Sequence, residues 1–147
     1  MTVPSGSLAE RLVLAAQSGT SRTFFNVLGA ELSDIEEGKV RLTLEVRDEL
    51  CRVGGILHGG AIATLLDSLC GLAGATVVEG THDLVTAQLN INFVRPSVPG
   101  EVLTGHGRVE HRGKRTIVCQ GEIHRPDGEL LAMGTATMMI LEKRLKT

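Results

Sequence analysis

The chain has 147 residues, 42% of them hydrophobic and 22% charged, with 18 Gly and neither Trp nor Tyr. That length closes one sizeable core, and the composition excludes a disordered or fibrous chain. With 15 Lys and Arg against 17 Asp and Glu the formal charge is -2. A nucleic-acid binder's basic excess and aromatic stacking platforms are both missing.

Cys51, Cys70 and Cys119 form no CxxC pair, so a reducing cytoplasm is the expected setting. The N-terminal stretch carries Glu10 and Arg11 beside its short apolar run and has no basic lead, unlike a signal peptide. The long apolar run over residues 59–78 contains Asp67, costly at a bilayer centre, so no membrane partner is expected.

Residues 7–18 predict a short helix, with Ser7 and Glu10 as a capping box and Gly19 as its stop. Val40, Leu42, Leu44 and Val46 alternate with Arg41, Thr43 and Glu45, a half-buried strand. The turn residues 36–39 make residues 26–35 its expected partner strand. After a loop at 48–57, residues 59–78 read as a helix about 30 Å long. It is apolar almost all round and therefore sheathed by other structure. Val85, Ala87, Leu89, Ile91 and Phe93 then alternate with polar residues, predicting a strand with one buried face. Three more strands are expected near 101–111, 114–124 and 129–141, with turns at Arg112-Gly113 and 126–128. The result is an α+β fold: a long central helix wrapped by an antiparallel sheet of about five or six strands.

Asp67 is the only charged residue between Gly59 and Val78. A carboxylate on a buried helix needs a partner or a purpose. The plain structural alternative is a rim Asp bonded to Thr64 or Ser68. His58, Gly59 and Gly60 precede the helix, whose first N–H groups lack intrahelical acceptors and favour a developing oxyanion. The alternative there is a glycine-rich start that merely packs tightly. His58 and Asp67 lie nine residues and about 180° apart, so they do not pair directly within one helix. Gly60 and Asp67 share a face but stand about 10.5 Å apart along the axis, too far for one carbonyl. Two antiparallel copies of the helix across a two-fold axis would bring donor and carboxylate together, so a composite site at a homodimer interface is expected.

The run from Gly55 through His58, Gly59 and Gly60 to Asp67, with residues 86–96 ending in Arg95-Pro96, resembles the hotdog-fold acyl-CoA thioesterases of the phenylacetate-degradation (PaaI-like) type. Gly113 to Thr116, and Gly128 to Ala132 with Gly134 to Thr137, add to the likeness, which spans residues 24–141. The combination of HGG, six residues, Asp and an RP-terminated strand carries the specificity.

The resemblance implies a hotdog domain over 24–147 behind an N-terminal helix and lead-in at 1–23, forming a homodimer usually paired into tetramers. It implies an acyl-CoA substrate, with coenzyme A as part of that substrate and neither a separate cofactor nor a metal. By position Asp67 becomes general base or nucleophile, and Gly59 the backbone donor to the thioester carbonyl from the opposite subunit. His58 becomes the brace of the glycine turn, and Thr86 a hydroxyl that holds the attacking water. Arg52 stands where the family often has Asn. Thr86 also lies on the polar side of its strand, so it reaches the helix only if the strand bends or bulges.

Arg112, Lys114 and Arg115 cluster at a turn, with Arg95 and Arg108 as further candidates for the coenzyme phosphates; a solvated hairpin tip is the plain alternative. Gly60 joins the substrate-binding set. His82, His106, His111 and His124 show no metal-ligand spacing. No GxSxG elbow supports a serine hydrolase. Phe24, Phe25 and the Leu-rich helix are candidates for an acyl pocket. The rival functions are a non-catalytic acyl-CoA sensor and, behind it, a dehydratase.

Overall fold

The computed structural model describes residues 1–17 and 23–142. Helix α1 (Leu8–Gln17) starts at the expected box: Ser7 Oγ accepts from the Glu10 N–H at 3.1 Å. The Glu10 carboxylate reaches back one residue further, accepting from the Gly6 N–H at 2.7 Å. Its expected stop at Gly19 lies outside the described residues. The Leu8 N–H donates to Val78 O at 2.7 Å and Arg11 pairs with Asp83, so α1 is tied at its start to the segment following the central helix.

The strand expected over 26–35 is split. Thr23 Oγ1 caps the Asn26 N–H and Gly29 adopts φ 78°, framing a short helix α2 (Phe24–Leu28) between them. Strand β1 (Glu31–Glu36) begins only after that glycine and pairs antiparallel with β2 (Lys39–Glu45). Val40, Leu42, Leu44 and Val46 are all buried, as their alternation predicts. A 3-10 turn (Asp48–Leu50) leads into a small ladder of β3 (Cys51–Arg52) and β4 (Ile56–Leu57), joined through Gly54 and Gly55 at φ 99° and 70°.

Helix α3 (Gly59–Ala75) is 17 residues, about 25 Å, shorter than the apolar run. Thr76 ends it: its hydroxyl donates to Ala73 O at 2.6 Å and accepts from the Gly38 N–H at 2.7 Å. The β-branched Val77 and Val78 lie beyond. Strands β5 (Asp83–Phe93), β6 (Val102–Arg112), β7 (Thr116–His124) and β8 (Leu130–Leu141) complete a six-stranded antiparallel sheet in the order β1-β2-β6-β7-β8-β5. The sheet runs along α3, which buries Ile62, Leu65, Leu66, Leu69, Cys70 and Ala73 against it.

Close approach of helix and sheet depends on a row of glycines. Gly107, Gly121 and Gly134 stand opposite one another on β6, β7 and β8. A Cβ at Gly107 would lie 2.4 Å from Leu69 O, and one at Gly121 3.1 Å from Leu66 Cδ2.

Two expectations are corrected. The helix is not sheathed all round within one chain, because Ala61, Ala63, Thr64, Asp67, Ser68, Gly71 and Leu72 are only half-buried. Strand β5 has no fully buried face either: it is an edge strand, and Phe93 is 56% exposed. Among the described residues no helix is long and apolar enough to cross a membrane.

Candidate active site

Asp67 is half-buried two turns past the start of α3, and its Oδ1 accepts a hydrogen bond from Thr86 Oγ1 at 2.7 Å. The alternative partners do not serve it: Thr64 Oγ1 donates to Gly60 O at 2.8 Å, and Ser68 makes no bond to Asp67. Strict alternation would turn Thr86 away from the helix. It faces Asp67 because the strand bulges: Thr86 pairs with Met138 and Gln88 with Thr137, leaving Ala87 unpaired. The extra residue inverts the phase of the strand. Leu84 therefore meets Gly74 of α3 on one side of the bulge, while Phe93 lies over Gly59 on the other.

At the helix start, His58 is the N-cap, and its Nδ1 accepts the Gly60 N–H at 2.8 Å. The cap therefore leaves Nδ1 without a proton. His58 is held in turn by its N–H to Leu50 O at 2.9 Å, and Leu57 by its N–H to Ser97 O at 2.9 Å. This consumes the Gly60 donor. The Gly59 N–H has no partner within the chain among the described residues, as the first turn of a helix dictates. A Cβ at Gly59 would lie 3.5 Å from the Phe93 ring, so the donor sits beside that ring. Gly59 and Asp67 are eight residues, about 12 Å, apart along the axis, and do not converge on one carbonyl within a chain.

Asp67 and Thr86 stand on the wall of a cavity of about 480 Å³ between α1, α3 and β5. Its remaining wall is mainly apolar and includes Leu8, Leu12, Phe25, Leu72, Leu84 and Met138. Phe25 belongs to it; Phe24 does not, and is 69% exposed. The contribution of α1 is absent from the sequence reading, which treats that helix as a lead-in. Its capping box and its apolar positions 8, 12 and 13 were the available signal.

The basic candidates separate. Arg112 Nε donates to Val77 O at 3.0 Å, and Lys114 and Arg115 are exposed at the β6–β7 turn with no ion pair among the described residues. Arg95 belongs to the other end of β8, donating to Leu130 O at 2.8 Å and pairing with Glu129 at 3.3 Å. Arg115 O accepts from the Ile140 N–H, so the two groups stand about 30 Å apart along β8. Arg108 is paired with Glu110. Arg52 turns its guanidinium back onto Val53 O at 2.8 Å.

Two of the three thiols lie buried in the core. Burial pushes Cys70 up to about 12, helped by Cys119 and Asp67, and pushes Cys119 to about 11. Among the described residues no group of His, Cys, Asp and Glu is arranged to hold a metal ion.

A long helix packed on a six-stranded antiparallel sheet is the architecture of the hotdog fold. The family model of the thioesterase superfamily matches residues 54–132, and the chain belongs to that superfamily. It is 32% identical to the 1,4-dihydroxy-2-naphthoyl-CoA hydrolase of Escherichia coli K12 over 78% of this chain and 83% of that protein. The E. coli PaaI protein of the phenylacetic acid degradation operon superposes with a TM-score of 0.83 at 21% identity, covering 99% and 100% of the two chains. A Streptococcus mutans protein solved with acetyl-CoA bound superposes with a TM-score of 0.75 at 31% identity, covering 86% and 98%.

Proposed function

We propose that this protein is an acyl-CoA thioesterase acting at a site shared by two copies of the chain. The observation that carries the reading is the Asp67–Thr86 pair on the wall of an apolar cavity: a carboxylate held by one hydroxyl, facing a space suited to an acyl group. The acetyl-CoA-bound relative and the naphthoyl-CoA hydrolase support a coenzyme A thioester as the substrate class.

The missing electrophilic partner has a source in β5. This edge strand of 11 residues leaves one row of backbone groups unpaired, a template for a second strand. Thr86 marks the place of Asp67 on it, and Phe93 the place of Gly59. An antiparallel copy of β5, related by a two-fold axis midway between those residues, lays Asp67 of one protomer beside Gly59 of the other. It also covers the half-buried side of α3. The Gly59 N–H and the helix dipole then polarise the thioester carbonyl. Asp67 takes a proton from water as the water oxygen attacks the carbonyl carbon. Collapse breaks the C–S bond, and the proton passes to the departing thiolate, giving a carboxylic acid and free coenzyme A. If Asp67 instead attacks the carbonyl carbon directly, the C–S bond breaks and coenzyme A leaves as a thiolate that takes a proton from solvent. Water then opens the resulting acyl anhydride at Asp67 Cγ, returning the carboxylate and releasing the acid. Single-turnover hydrolysis in ¹⁸O-water distinguishes the routes, since the direct route alone labels Asp67. Lys114 and Arg115, exposed and unpaired, are the candidates for the coenzyme phosphates.

The test is thiol release from acyl-CoAs of varied chain length and aryl type by wild type and Asp67→Asn. The expected result is turnover on some class, reduced at least about 100-fold by the substitution with binding retained. Tight acyl-CoA binding without turnover would instead make the protein a sensor.

A further inference from the structure

We infer that α1 and α3 together form a length gauge for the acyl group, set for a straight aliphatic chain of about nine carbons, with Gly71 as the residue that keeps the gauge open. The inference rests on the thioesterase reading above and specifies its substrate class.

Asp67, Gly71 and Ala75 occupy successive turns of α3, and all three line the cavity. The groove therefore runs from the carboxylate toward the C-terminal end of the helix for eight residues, about 12 Å. Beyond Ala75 it is closed by Leu8, which is 1% exposed and whose N–H is fixed to Val78 O at 2.7 Å. An extended hydrocarbon advances about 1.3 Å per carbon, from a C–C bond of about 1.5 Å, so 12 Å holds about nine carbons.

The walls decide the chemistry. Among the described residues no Lys, Arg or His lines the groove, and the carboxylate of Asp83 at its edge is paired with Arg11. None of these described wall residues neutralises a second carboxylate, so the wall favours an aliphatic acyl group over a dicarboxylic one by the desolvation cost. Thr23 Oγ1, which also lines the space, is engaged by Asn26 through its side chain at 3.0 Å and its N–H at 3.3 Å. Phe25 is the one aromatic ring on the described wall, which leaves an aryl group without a second stacking face.

Gly71 is the point where the gauge can be shortened without disturbing the fold. A Cβ there meets only Met138 Cε, at 3.7 Å, an ordinary contact. Larger side chains at 71 therefore grow into the groove one turn, about 6 Å, beyond Asp67, leaving space for about four carbons.

The experiment is a kcat/KM series on straight-chain acyl-CoAs from two to sixteen carbons for wild type, Gly71→Ala and Gly71→Leu, with thermal melting of each. In wild type, kcat/KM rises about fourfold per methylene up to eight to ten carbons and then stops rising. Gly71→Leu loses at least about 100-fold on decanoyl-CoA, stays within threefold on butyryl-CoA and melts as wild type does. Gly71→Ala moves the optimum down by one or two carbons, which keeps the test decisive should the leucine variant fail to fold. A wild type that hydrolyses acyl-CoAs without length dependence, or a Gly71→Leu that loses equally on all lengths while folded, overturns the gauge and leaves the thioesterase intact. A wild type that hydrolyses neither this series nor the aryl-CoAs of the test above overturns the thioesterase and the gauge together; turnover of aryl-CoAs alone overturns the gauge.

Discussion

Replacing Thr86 by Val isolates the hydroxyl that holds Asp67, because valine keeps the shape of threonine and its two γ atoms. The hydroxyl lies 2.7 Å from Asp67 Oδ1 and 3.7 Å from Met138 Sδ, so the carboxylate is its principal partner. A hydrogen bond to a charged group contributes about 1.5–3 kcal/mol, and the exposure of Thr86 in the single chain puts this one at the lower end. About 1.5 kcal/mol corresponds to about tenfold in rate. In steady-state thiol release, kcat and kcat/KM should fall together by about that factor with KM unchanged, the pattern of an interaction realised at the transition state. Thr86→Ser, which restores the donor, should recover to within about threefold of wild type. In an Asp67→Asn background the valine substitution should cost nothing further, since the two groups act as a unit. A Thr86→Val enzyme within twofold of wild type, or one whose whole loss sits in KM, would refute the idea that this hydroxyl orients the carboxylate.

The remaining predictions concern packing and pH. Gly107→Ala puts a Cβ 2.4 Å from Leu69 O and 2.9 Å from Val40 Cγ1, so α3 must lift from the sheet, at about 3 kcal/mol measured by urea titration. Gly71→Ala, unobstructed and in mid-helix, should be neutral or stabilising by up to about 1 kcal/mol in the same titration. Burial and then the neighbouring His124 hold His106 below its ordinary 6.5, with Arg41 acting in the same sense and Glu122 against. The unfolded chain thus binds this proton more readily, and stability falls as pH drops below about 6.5. The Ser97 hydroxyl, 2.5 Å from its Oε2, holds Glu101 below its ordinary 4.5. Its contribution is therefore present above pH 4.5 and lost as pH falls through the lowered value. Melting temperatures between pH 7.5 and 3.5 should show both declines, and His106→Gln should flatten the first and leave the second.

The fold was largely legible because its strongest signals are periodic. The β2 alternation, the apolar run of α3 and the spacing of the last three strands each fix an element, and burial follows the pattern. What escaped was set by single residues against the pattern. Thr76 stops α3 early through its own hydroxyl, and Thr23 with Gly29 turns the start of an expected strand into a helical turn. Gly107, Gly121 and Gly134 give no signal of their own within the expected strands, and prove to be a packing row visible only once register places them side by side.

The site divides in the same way. Asp67 announces itself as a charge in an apolar run, and Gly59 as a donor at a helix start, because each violates a local rule. Thr86 violates none: Val85 to Phe93 alternates without fault, and that regularity points the hydroxyl the wrong way. Only pairing with β8 introduces the unpaired Ala87 that turns it toward Asp67. The bulge also explains why a strand with such regular apolar spacing stays exposed. Its apolar residues divide at the bulge, Leu84 packing near Gly74 on one side and Phe93 over Gly59 on the other. Between them the strand offers its open edge and the uncovered flank of α3 to one and the same neighbour. Under the proposed function a second β5 would satisfy both needs at once: the pairing that removes the exposed edge would be the pairing that brings the Gly59 N–H of a second copy to Asp67.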